Sequence, residues 1–71
     1  MTADEWLRTF AEQLGAAAPT QEEMDEILRL AGIAAHASER IAAPIACWLV
    51  GRAGTPLDEA IETADGIGAA G

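Results

Sequence analysis

The sequence predicts an all-α domain, a compact bundle of three to four short helices. Three observations lead there. Two Thr-x-x-Glu capping boxes, Thr2 to Glu5 and Thr20 to Glu23, mark helix starts. Apolar residues recur at the i, i+3, i+4 spacing of a helical face. No segment shows the period-two alternation, β-branched clustering or Asn-Gly turn of a hairpin. With 71 residues, the chain can build one core and therefore one domain.

In the first helix, the Thr2 hydroxyl caps the amide of Glu5, and Asp4 and Glu5 suit the positive end of the dipole. Trp6, Leu7, Phe10, Ala11 and Leu14 form the apolar face, opposite Asp4, Arg8 and Glu12, and Gly15 stops the helix. The connection Ala16 to Pro19 follows, because a residue before proline is pushed out of the α region.

Thr20 opens the second helix, whose stripe of Met24, Ile27, Leu28, Ala31, Ala34 and Ala35 carries it to about Ala37. Gly32 inside it implies a close helix approach or a bend, at about 1 kcal/mol relative to Ala. A turn over Ser38 to Ala43 then leads to a third helix from Pro44 to about Arg52, since proline belongs in a first turn. Ile45, Trp48, Leu49 and Val50, with Ala46 and Cys47 between, make this helix apolar nearly all round, which predicts the central, most buried element with Trp48 in the core and Cys47 an inert buried thiol. Gly51 and Gly54 end it. Thr55 caps a fourth helix with Pro56 at its first position and Leu57, Ala60, Ile61 and Ala64 facing inward, ending near Gly66. The domain is therefore 1–66, with 67–71 a loose tail.

Composition narrows function. Four basic residues, all Arg, stand against 12 acidic ones, a net charge of -8, so phosphate backbones and anionic headgroups are repelled and no nucleic acid partner is expected. No apolar run spans a bilayer, so no membrane partner is expected either. The single Cys47 forms no internal disulfide, and no basic stretch followed by an apolar one and a small-residue cleavage site stands at the N-terminus, so a reducing cytoplasm is the default expectation. Seventeen alanines with no Lys, Asn or Tyr reflect a GC-rich source, not a function.

Catalytic equipment is sparse. There is no glycine-rich nucleotide loop and no lysine for a Schiff base, and one His with one Cys is too few for a protein-built zinc site. The carboxylates at Glu22, Glu23, Asp25 and Glu26 crowd a solvated helix start. The expectation is no enzyme and no cofactor or metal. Four residues stand out for interaction: Trp6 near an exposed first turn, and Arg29, His36 and Arg40, which align with Ile33 as a basic ridge if the second helix runs far enough. Pairing of Arg40 with Glu39 and capping of the helix end by His36 is the plainer reading of the same residues. An apolar core this thin, rich in Ala, calls for a protein partner or a homodimer to complete it.

The run His36-Ala37-Ser38-Glu39-Arg40-Ile41-Ala42-Ala43-Pro44-Ile45, with Trp48-Leu49-Val50-Gly51 after it and Asp4-Glu5-Trp6-Leu7 at the start, resembles a small uncharacterised helical domain family common in actinobacteria. The resemblance covers most of the chain. Members of that family occur alone or beside enzymes that attach a nucleotide to molybdopterin, and some carry the label molybdopterin-guanine dinucleotide biosynthesis protein. The resemblance thus implies an accessory or interaction module for molybdenum cofactor biosynthesis, with the transferase chemistry in another domain. A small acidic carrier protein is the alternative. Carriers resemble one another in an Asp-Ser-Leu at the start of their second helix, where this chain has Thr20-Gln21-Glu22, with its Ser38 between Ala37 and Glu39.

Overall fold

The computed structural model describes residues 1–67. It contains four helices in order, α1 (Ala3–Leu14), α2 (Gln21–Ala37), α3 (Ala42–Ala53) and α4 (Leu57–Gly66), and no strand among the described residues. The all-α bundle predicted from the helical stripes is what forms.

Both capping boxes close. Thr2 Oγ1 accepts from the Glu5 amide at 3.1 Å, and Glu5 Oε1 accepts from the Thr2 amide at 3.3 Å. At α2, Thr20 Oγ1 accepts from the Glu23 amide at 3.1 Å and Glu23 Oε1 from the Thr20 amide at 2.8 Å, so orphan amides are satisfied at both starts. Gly15, at φ 75°, ends α1 in a Schellman turn: the Ala16 amide donates to the Ala11 carbonyl at 2.9 Å and the Gly15 amide to that of Glu12 at 3.1 Å.

Two boundaries differ from expectation. α3 begins at Ala42, two residues before Pro44, after a tight turn in which the amides of Ala42 and Ala43 donate to the carbonyls of Glu39 and Arg40. Pro44 falls at the third helical position, where the amide it lacks has no intrahelical acceptor anyway. At α4 the cap is Pro56 itself, held extended at ψ 142°, with its carbonyl accepting from the Ala60 amide, and no side chain caps the start. Thr55 is thus one residue too early to serve. The Gly54 amide closes α3 onto the Val50 carbonyl at φ 69°, while Gly51 lies within the helix.

α2 is the central element and packs against both α3 and α4, whereas α1 pairs closely with no other helix. This corrects the expectation that α3 is central. A helix apolar all round requires cover on all sides, and among the described residues α2 is the one helix packed closely along α3. Among the described residues the buried apolar ones are Ala11, Leu30, Ala60 and Ile61, none of them on α3. Leu30 is 2% exposed, at the groove where Ile27, Cys47, Val50 and Leu57 also meet. Leu28, expected in the stripe, is 68% exposed. Sandwiching α2 between two partners turns its buried arc toward Ile27, Leu30 and Ala34 and leaves Leu28 outside. Cys47 is half-buried, not fully enclosed.

Gly32 has open space where a Cβ would stand, with no heavy atom within 4 Å and no positive φ, so it serves neither a close helix approach nor a left-handed turn. Gly32→Ala is expected to raise stability by about 0.5–1 kcal/mol through backbone entropy, seen as a higher urea midpoint at unchanged slope. A lowered midpoint would mean that the site is tighter than its geometry. The predicted tail falls partly outside the described residues: Ile67 ends α4, its amide donating to the Ala64 carbonyl, and 68–71 lie beyond them.

Candidate interaction surface

The large apolar side chains distribute unevenly. Eleven are exposed among the described residues, while only Leu30 and Ile61 of comparable size are buried, so most of the chain's hydrophobic bulk faces water. It gathers on two helices.

On α1, Trp6 and Phe10 are one turn apart and stack with ring centroids 4.9 Å apart at 30°. Both are about half exposed, and with Met1, Thr9 and Gln13 they line a shallow recess. Leu14 continues the stripe into solvent. The edge of α1 carrying Asp4, Leu7 and Arg8 borders a recess shared with Ala18, Pro19 and the start of α2, and the aromatic side lies away from it.

On α3 the residues sort by size. Ala42, Ala43, Ala46, Cys47 and Val50 turn inward and are half-buried, whereas Ile41 just before the helix, Ile45, Trp48 and Leu49 are all more than half exposed. The small face lets α2 come close, and the bulky face is left without cover. The Arg52 guanidinium lies 5.2 Å from the Trp48 ring centroid, a cation–π contact worth about 0.5–1 kcal/mol at an exposed site. The expectation that Trp48 sits in the core is therefore corrected: it is 59% exposed. A signal in the sequence was available, because the volumes on α3 alternate with helical period even though hydrophobicity does not.

The structure does not gather the four residues singled out from sequence into one ridge. Trp6 is on α1, 53% exposed, as its early position suggests. Arg29 is exposed on α2 and shares a recess with Glu26, Asp58, Ile61, Glu62 and Asp65, so acidic side chains of α4 surround it. His36 is exposed in the last turn of α2, where an imidazole suits the negative end of the dipole. α2 then ends at Ala37: Ser38 leaves helical geometry at φ -140°, and its amide and hydroxyl both donate to the Ala34 carbonyl. Arg40 stands in the following turn, so the helical alignment of His36 with Arg40 does not form.

A family model described as a domain of unknown function, DUF6457, matches residues 1–70. The chain belongs to the DUF6457 family. Both capping boxes, the helix junction at Arg40 and the outward face of α3 lie within the matched span. No curated protein and no solved structure matches the sequence. Family membership agrees with the resemblance to a small uncharacterised helical domain and assigns no chemistry to any residue. Among the described residues, no three His, Cys, Asp or Glu side chains are grouped to hold a metal ion, and no helix is long and apolar enough to cross a membrane.

Proposed function

We propose that this member of the DUF6457 family is a non-catalytic helical interaction domain that docks a protein partner through the aromatic side of α1. The observation that carries this reading is the exposed Trp6–Phe10 stack on a helix that pairs closely with no other helix of its own chain. Exposed aromatics are a frequent anchor of protein interfaces, since they bury much area at small conformational cost. Thr9 and Gln13 border the stack, while α1 as a whole carries Asp4, Glu5 and Glu12 against a single Arg8, so the fitting partner offers an apolar groove on a surface rich in Lys or Arg.

The family resemblance supports a cytoplasmic, actinobacterial setting beside the enzyme that attaches a nucleotide to molybdopterin, with all transfer chemistry on that enzyme. The test is affinity capture from the native host with wild-type and Trp6→Arg baits, quantified by mass spectrometry. A protein enriched by the wild type and lost with Trp6→Arg is the expected result, and a molybdopterin nucleotidyltransferase in that fraction supports the specific setting. Identical profiles for the two baits, or substrate turnover by the purified chain, contradict the reading.

A further inference from the structure

We propose that the outward face of α3 pairs antiparallel with the same face of a second copy of this chain. The inference goes beyond the partner on α1, because it uses a different helix and needs only the purified protein.

The first support is area. The chain exposes 5513 Å², whereas a globular monomer of 7.4 kDa exposes about 4,200 Å². The excess of roughly 1,300 Å² is shared by the exposed faces of α1 and α3, and it is large enough to include the roughly 800 Å² that each partner contributes to a stable interface. The elongated outline, 41 × 23 × 18 Å, agrees with a molecule whose covering layer is missing.

The second support is charge, and it selects the occupant. Twelve carboxylates and a net charge of -8 oppose self-association over most of the surface, yet α3 carries no Asp or Glu at all. It is the one helix through which two copies meet without setting carboxylate against carboxylate.

The third support is spacing. Ile41, Pro44, Ile45, Trp48, Leu49 and Arg52 repeat at i, i+3, i+4, i+7, i+8 and i+11, a stripe that reads the same from either end. A two-fold axis at the level of residues 46 and 47 sets Ile45 against Trp48 of the second copy and Ile41 against its Arg52. Glu39 lines the same shallow groove as Ile41, Ile45 and Leu49, so the incoming guanidinium meets a carboxylate there. An interface of this kind is isologous and closes as a dimer.

The test is light scattering after size exclusion, over a concentration series, on the full chain and on Ile45→Glu and Trp48→Arg, with circular dichroism confirming that each is folded. The wild type is expected at twice 7.4 kDa. Each single variant is expected to associate at least about thirtyfold more weakly, as loss of a central interface anchor does. An equimolar mixture of the two variants is expected to regain dimer, because the new carboxylate at position 45 faces the new guanidinium at position 48. Should either variant fail to fold, Leu49→Gln is read in the same assay with the same expectation. A wild type that stays at 7.4 kDa at every concentration, folded variants that dimerise like the wild type, or a folded mixture that stays monomeric each overturns the proposal. A monomeric chain that still captures a protein through Trp6 overturns this inference and leaves the proposed function standing; a dimer whose captures are indifferent to Trp6→Arg does the reverse.

Discussion

Leu30→Ala is expected to cost roughly 3 kcal/mol, much of the roughly 4–10 kcal/mol that holds a domain of this length together. Leu30 is the most buried large side chain of the described residues, set where α2, α3 and α4 converge among Ile27, Val50 and Leu57. Truncation removes its transfer energy and leaves a void that Cys47 and Gly51, the small α3 residues of the same groove, are too short to fill. Urea unfolding followed by circular dichroism reads the loss. Leu28→Ala is the control: at an exposed position two residues away it should change stability by no more than about 0.5 kcal/mol. If the two variants exchanged roles, the buried arc of α2 would be the one read from the sequence stripe and not the one in the structure.

The second large effect is dynamic. α1 has 12 residues and pairs closely with no other helix, while α2 is gripped from two sides. An isolated helix of that length is marginal in water, so α1 should open locally, whereas amides around Leu30 should exchange only on global unfolding. Native-state hydrogen exchange is expected to show α1 amides at least about a hundredfold less protected than those in the middle of α2. Binding of a partner to the Trp6–Phe10 stack should close that gap. Equal protection in the free chain would mean that α1 is already docked and has no need of a partner.

Helix existence was legible in the sequence because it is decided locally. The two Thr-x-x-Glu boxes, Gly15 and Gly54 act through hydrogen bonds within a few residues, and all four do in the structure what their residue types imply. Boundaries near proline shifted because proline tolerates several first-turn positions: Pro44 entered two residues late and Pro56 displaced Thr55 from the cap. What failed was burial. Hydrophobicity says that Trp48, Ile45 and Leu49 gain from leaving water, but it does not say whether this chain supplies the cover. With 71 residues and four short helices, it covers the small face of α3 and not the large one. Exposure followed the same division: that of Trp6 is legible from its place near the start of α1, while that of Ile45, Trp48 and Leu49 depends on which faces the other helices cover. The basic ridge depended on α2 running past Ala37, but Ser38 leaves helical geometry at φ -140° and Arg40 falls in the turn that follows.

Whether the bulky side of α3 faces outward in the lone chain is measured most directly by the fluorescence of Trp48 alone, in the Trp6→Phe, Ile45→Glu double variant. In this chain the second tryptophan is gone and self-association is weakened. The expected result is a red-shifted emission, quenched by acrylamide far more readily than a buried indole, because Trp48 is more than half exposed. A blue-shifted, quencher-resistant emission from the folded monomer would put Trp48 inside its own core and contradict the account.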